Sequence, residues 1–172
     1  MSAATHTPGI DEAVVKVLFV CLGNICRSPT AHGVFRGLVE QRGMEHVILV
    51  DSGGTGDWHV GHPPDSRAAQ EARSRGYDLS DLRARQVKPE DFCEFDYILA
   101  MDHENLANLQ AMRPTTSSAQ LALFLSFAPD EDGLEVPDPY YGGDEGFSRV
   151  FDMIERASEG LLQEICSARP VQ

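Results

Sequence analysis

The residues best suited to chemistry are Cys21 and Arg27, which bound the segment Cys-Leu-Gly-Asn-Ile-Cys-Arg. A thiolate is a strong nucleophile, and the planar guanidinium of an arginine can bind two oxygens of one phosphate. Between them, Gly23 permits a backbone bend without a Cβ clash, and Asn24 tolerates the left-handed region better than most residues. The segment therefore predicts a loop that holds a phosphate over a thiolate.

The segments on either side of this loop predict how it is positioned. Residues 14–20 form a short run rich in β-branched and aromatic side chains, which favours a buried parallel strand. After the loop, apolar residues recur at helical spacing. Ser28 is expected to cap this helix and Pro29 to occupy its first position. The loop would then lie at a helix start, where free amide hydrogens and the helix dipole favour an anion and the Cys21 thiolate.

A second group suited to acid–base chemistry is Asp138, which lies between Pro137 and Pro139. An Asp-Pro pair in a glycine-rich loop is more often a turn than a catalyst, so the pattern alone leaves both interpretations open. Two aromatic residues follow, Tyr140 and Tyr141, and they favour a segment that presses on an aromatic substrate. A carboxylic acid at this place could protonate a phenolate leaving group.

Trp58 and the remaining cysteines each have two interpretations. The single tryptophan lies in a glycine-rich stretch, residues 53–61, which favours a position on the rim of a site over the usual core position. Cys26 is either a packing residue or a thiol that could form a disulfide with an oxidised Cys21. Cys93 and Cys166 are expected to be ordinary buried or helix cysteines. No Cys/His spacing typical of structural zinc occurs.

Residues 17–29, Val-Leu-Phe-Val-Cys-Leu-Gly-Asn-Ile-Cys-Arg-Ser-Pro, resemble the signature loop of the low-molecular-weight protein tyrosine phosphatases. The resemblance continues, in the same order, through Asp51-Ser52, Asp57-Trp58, Ala84-Arg85-Gln86, residues 96–102 and Asp138-Pro139-Tyr140-Tyr141-Gly142, and it covers about residues 14–165. It implies metal-independent hydrolysis of phosphotyrosine and aryl phosphate monoesters through a cysteinyl-phosphate, with no cofactor. Phosphotyrosine-containing proteins would be the partners.

The resemblance also implies a role for each site residue. Cys21 would be the nucleophile, Arg27 would bind the phosphoryl group, and Asp138 would act as general acid and then general base. Asp102 would orient Arg27. Ser52 would join the hydrogen-bond network of the phosphate-binding loop, and Leu82 stands where some members carry a histidine in that network. Substrate or phosphate binding is implied for Leu22, Gly23, Asn24, Ile25, Cys26, Ser28, Trp58, Tyr140 and Tyr141.

Three alternatives remain open at this level. An arsenate reductase built on a similar loop would need a pair of shuttle cysteines near residues 80–95, where only Cys93 occurs. Phosphoarginine phosphatases of the same fold carry threonine where Ile25 stands. A non-catalytic phosphopeptide binder would not need Cys21, Arg27 and Asp138 all intact.

Composition limits the classes of partner. The chain has 172 residues, enough for one domain with a substantial core, and a net charge of −13, which argues against nucleic acid and anionic membranes. Four cysteines without a secretion signal favour the cytoplasm, and no apolar stretch approaches the length of a membrane span. We expect a monomer or weak dimer.

The coarse pattern alternates strand and helix. Residues 1–13 are expected to be a disordered tail and residues 14–168 a single phosphatase domain. Beyond the first strand and helix, strands are predicted at residues 47–50, 97–101 and 121–125, and helices at 66–75, 104–112 and along the apolar stripe from Phe147 to Ile165. This alternation predicts an α/β fold, a four-stranded parallel sheet with helices on both faces. The resemblance to the phosphatase family implies the Rossmann-like phosphatase I arrangement of such a sheet.

Overall fold

Strands and helices alternate along the chain in the computed structural model, which describes residues 14–128, 134–139 and 144–168. The strands are β1 (Val15–Cys21), β2 (Ile48–Gly54), β3 (Tyr97–Ala100) and β4 (Gln120–Leu123). The helices are α1 (Arg27–Gln41), α2 (Ser66–Ser74), α3 (Asp91–Glu94), α4 (His103–Met112) and α5 (Asp144–Ala168), and a 3-10 helix (Phe124–Phe127) follows β4. The tail predicted at residues 1–13 lies outside the described residues.

The four strands form one sheet in the order β2-β1-β3-β4, and each neighbouring pair is parallel. This confirms the predicted parallel sheet. The chain passes from β1 to β2 on one side and then crosses to β3 on the other side of β1. In open α/β sheets, the crevice at such a reversal of strand order is where ligands bind. Cys21 ends β1 and Asp102 follows β3, so both lie at this crevice.

Helices cover both faces of the sheet, as predicted. Phe19 of β1 belongs to the same buried cluster as Phe35 of α1 and Phe151 of α5. Leu18, the preceding strand residue, belongs to a second buried cluster with Leu109 of α4. This alternation follows from the two-residue period of a strand, and burying each such side chain stabilises the fold by roughly 1.5–3 kcal/mol.

Several predicted boundaries are wrong in instructive ways. β2 continues past residue 50 to Gly54 because its last residues pair with β1, although Ser52, Gly53 and Gly54 carry no apolar pattern. The predicted fourth strand stops at Leu123 because the backbone turns into the 3-10 helix at Phe124. The single-turn helix α3 was not predicted, since four residues are too few to show a helical period.

The predicted cap of α1 is also wrong. The helix begins at Arg27, its N-cap residue is Cys26, and no side chain caps it. Ser28 lies inside the first turn, and its hydroxyl contacts Cys21 and Asn24 instead. Pro29 is the third helical residue rather than the first, which costs no hydrogen bond because the first four amides of a helix lack an intrahelical partner.

Candidate active site

The loop after β1 curls around the sulfur of Cys21. The amide nitrogens of Asn24 and Ser28 lie 3.3 and 3.5 Å from Sγ, and the Ser28 hydroxyl lies 3.1 Å from it. Cys21 is 3% exposed. Hydrogen bonds from amides and a hydroxyl favour negative charge on an acceptor. The arrangement can therefore stabilise a thiolate at the end of β1.

Asn24 fixes the shape of this loop. It has a φ of 58°, the left-handed conformation that its residue type tolerates. Its Nδ2 donates to the Ser28 hydroxyl at 2.7 Å, and its Oδ1 accepts the amide hydrogen of Arg85 at 2.9 Å. Gly54 lies directly against the loop backbone, because a Cβ there would stand 2.7 Å from the Leu22 carbonyl oxygen. The loop is thus held from within and from β2.

The loop also presents amide hydrogens that find no acceptor within the described part of the chain. Among the described residues, the amide hydrogens of Gly23, Ile25, Cys26 and Arg27 donate to no protein acceptor. The absence of a capping side chain on α1 leaves these groups open. Together with the positive end of the helix dipole, they can bind the oxygens of an anion above the sulfur.

Arg27 is buried and oriented by the β3–α4 corner. Its Nη1 donates to Asp102 Oδ2 at 2.7 Å and to the Val136 carbonyl at 3.1 Å, and its Nη2 lies 3.8 Å from Asp138 Oδ2. Burial alone would lower the pKa of Arg27, but the charge of Cys21 and the hydrogen bond that Arg27 donates to Asp102 raise it above the ordinary value. The guanidinium therefore stays charged beside the sulfur.

Eight of the predicted site residues line one cleft of about 80 Å³, and His59, which was not among them, completes its lining. Cys21, Arg27 and Asp138 line it together with Leu22, Gly23, Ile25, Cys26, Trp58 and His59. The Trp58 side chain is 69% exposed, so the tryptophan lies at the rim and not in the core. The lining combines the polar groups of Cys21, Arg27 and Asp138 with the apolar side chains of Leu22, Ile25 and Trp58, which suits a ligand with an anionic head and a flat apolar body. Tyr140 and Tyr141 lie outside the described residues.

His32 is a candidate that the sequence pattern did not indicate. Its Nδ1 lies 2.9 Å from the Ser52 hydroxyl, while Leu82 is part of the apolar core. Burial lowers the pKa of His32 to about 4, so the imidazole is neutral at ordinary pH. The available signal was its spacing, because a residue four positions after Ser28 lies on the same face of α1.

The other three cysteines differ in exposure. Cys26 is buried, and its burial raises the pKa of the thiol well above the ordinary value. Cys93 and Cys166 lie on α3 and α5, in agreement with the expectation of buried or helix cysteines, and both are exposed.

The described residues contain neither a candidate metal site nor a helix suited to crossing a membrane. In residues 14–128, 134–139 and 144–168, no group of three or more His, Cys, Asp or Glu side chains is arranged to hold a metal ion. Within the same ranges, no helix has the length and apolar character needed to cross a membrane.

Comparison with known proteins gives consistent results. The sequence profile of low molecular weight phosphotyrosine protein phosphatase matches residues 16–170. The Bacillus subtilis low molecular weight protein-tyrosine-phosphatase YfkJ is 42% identical over 152 residues, covering 88% of this chain and 96% of its own. A protein tyrosine phosphatase from Entamoeba histolytica superposes with a TM-score of 0.85 at 40% identity, covering 89% of this chain and 97% of its own. A Drosophila arginine phosphatase superposes with a TM-score of 0.84 at 33% identity, covering 90% and 100%.

Proposed function

Because this chain belongs to the low molecular weight phosphotyrosine protein phosphatase family, we propose that Cys21, Arg27 and Asp138 carry out its reaction. The chain is a phosphatase that acts on phosphotyrosine in proteins. One observation carries the residue assignment: the Cys21 sulfur accepts hydrogen bonds inside a loop whose remaining amides are open to an anion, beside the charged Arg27.

In the first step, the Cys21 thiolate attacks phosphorus and forms an S–P bond while the P–O bond to the tyrosine oxygen breaks. The loop amides and Arg27 bind the three non-bridging oxygens, whose negative charge would otherwise repel the thiolate. Asp138, as the carboxylic acid, gives its proton to the departing phenolate. Tyrosine leaves, and a cysteinyl-phosphate remains.

In the second step, the Asp138 carboxylate takes a proton from water, and the oxygen of that water attacks phosphorus. The P–S bond breaks, the electron pair returns to Cys21 as thiolate, and inorganic phosphate leaves. Atoms and charges balance without an additional reactant. A positioned carboxyl group typically contributes 10²–10⁴-fold to such proton transfers.

The phosphoarginine alternative differs in the wall of the cleft. Ile25 lines the cleft here, at the position where the sequence resemblance leads us to expect threonine in a phosphoarginine phosphatase. A branched apolar side chain favours contact with an aromatic ring over a polar guanidinium. This supports phosphotyrosine as the substrate class, although the Drosophila arginine phosphatase shares the fold.

The cellular setting and the extent of the domain are part of the proposal. All four cysteines are unpaired, and a nucleophilic thiol stays reduced in the cytoplasm. We therefore place the enzyme there, with residues 14–168 as its catalytic domain.

Hydrolysis of aryl phosphates tests the assignment. The full chain in excess chelator should hydrolyse an aryl phosphate, vanadate should inhibit it, and Cys21→Ser should abolish turnover. Asp138→Ala should slow release of poor leaving groups by roughly 10²-fold or more while sparing activated ones. Turnover that survives Cys21→Ser, or that occurs on phosphoarginine in preference to phosphotyrosine, would overturn the proposal.

A further inference from the structure

The segment that carries Asp138 is docked on the corner between β3 and α4. The amide of Val136 donates to the Met101 carbonyl at 2.8 Å, and the Val136 carbonyl accepts from Arg27 at 3.1 Å. The Val136 side chain is fully buried. These contacts fix the backbone two residues before Asp138. Two of the three contacts are hydrogen bonds of the Val136 backbone, so they do not depend on the Val136 side chain.

A side-chain contact holds the same segment at the neighbouring residue. Glu135 Oε2 accepts the backbone amide hydrogen of His103 at 2.9 Å and lies 2.9 Å from His103 Nδ1. His103 is the first residue of α4, and the N-cap residue of that helix, Asp102, holds Arg27. One corner of the fold therefore binds both the phosphate-binding guanidinium and the segment of the general acid.

We propose that Glu135 and His103 form a latch that positions Asp138 for proton transfer. The inference rests on the proposed role of Asp138 as general acid. Glu135 and Asp138 are separated by Val136 and Pro137, and the ring of Pro137 restricts the backbone between them. A shift of the Glu135 backbone is therefore passed on to the carboxyl group of Asp138.

The chemistry of the contact suits positioning more than stability. Both side chains are at least half exposed, and exposed ion pairs contribute little to folding. A carboxylate at a helix start is nonetheless favoured by the free amide and the dipole. The hydrogen bonds from His103 lower the pKa of Glu135, and the nearby Asp102 charge opposes this only in part. Glu135 is thus ionised, and its carboxylate can accept the hydrogen bonds from His103 that form the latch.

Loosening the latch should slow only those reactions whose leaving group must be protonated. General acid catalysis requires the donor within hydrogen-bond reach of the leaving oxygen, and small misplacements cost large factors in rate. The loss should appear where protonation of the leaving group matters. It should be small for an activated leaving group, which departs without a proton.

The test compares full-length Glu135→Ala with the parent on a nitrophenyl phosphate and on an alkyl-substituted phenyl phosphate. We expect kcat/KM to fall roughly 5- to 10-fold on the poor leaving group and less than about 2-fold on the activated one. Glu104→Ala is the matched control, because it removes an exposed carboxylate from the same first turn of α4. Glu135→Gln keeps an oxygen that can accept the His103 amide and should recover part of the loss.

A double-mutant cycle separates positioning from general damage. In the Asp138→Ala background, Glu135→Ala should cause no further loss, because a latch has nothing to position once the acid is removed. Equal losses on both substrates, or a full additive loss in that background, would overturn the latch while leaving the proposed function intact. If Asp138→Ala itself showed no leaving-group dependence, the acid assignment would fail and the latch with it.

Discussion

Substitution of His32 gives the sharpest prediction of how pH affects this fold. Burial lowers the pKa of His32 from 6.5 to about 4. In the unfolded chain the imidazole takes up a proton below about pH 6.5, whereas in the folded protein it stays neutral until about pH 4. The contribution of His32 to the free energy of unfolding should therefore be constant above about pH 6.5. It should fall by about 1.4 kcal/mol per pH unit as the pH drops from about 6.5 to about 4.

The magnitude can be measured with His32→Gln. Glutamine can still hydrogen-bond the Ser52 hydroxyl but does not titrate. Between about pH 7 and pH 5 the parent should lose about 2 kcal/mol more of its free energy of unfolding than the variant does. Acid effects of other groups cancel in this difference.

Urea unfolding at both pH values, followed by tryptophan fluorescence and circular dichroism, gives the free energies. His46→Gln serves as the control, because the His46 side chain is exposed in the folded protein and folding therefore buries little of its imidazole. If the parent and His32→Gln lost the same stability on acidification, the imidazole would not be held neutral, and the assigned role of its burial would be refuted.

Three further outcomes are expected. Arg27→Lys should lower kcat/KM by roughly 10²-fold or more, because an ammonium group cannot match two phosphate oxygens and Asp102 together; steady-state kinetics with near-parental activity would contradict this. Gly54→Ala should weaken inhibition by phosphate and lower the Tm, since its Cβ would stand 2.7 Å from a backbone oxygen of the loop; unchanged inhibition would argue against that close approach. After peroxide treatment, Cys26→Ala should recover less activity with thiols than the parent does, and equal recovery would exclude Cys26 as a partner of the oxidised sulfur.

Much of the fold could be predicted from the sequence because its signals are local. The apolar run of β1 and the helical period after the loop place Cys21 between a strand and a helix start. The left-handed conformation of Asn24 follows from its residue type. Strand order, in contrast, could not be read from the pattern, because it depends on which strands pair across long separations.

The parts that sequence reasoning missed depend on tertiary contacts. The sequence pattern predicts that Ser28 caps α1. In the structure its hydroxyl instead contacts the Cys21 sulfur and accepts a hydrogen bond from the side-chain amide of Asn24. His32 carries no motif, and its link to Ser52 exists only because β2 extends behind the loop. The pairing of Glu135 with His103 joins residues 32 positions apart, so no local sequence pattern predicts it.

The most direct test is whether phosphate protects Cys21 from alkylation. It is measured with iodoacetamide in a Cys93→Ser, Cys166→Ser background, because those two exposed thiols would also react. Because the loop amides and Arg27 are arranged to bind an anion over the sulfur, Cys21 should be alkylated at about pH 7 and inorganic phosphate should slow this alkylation. Alkylation of Cys21 at the same rate with and without phosphate would contradict the account.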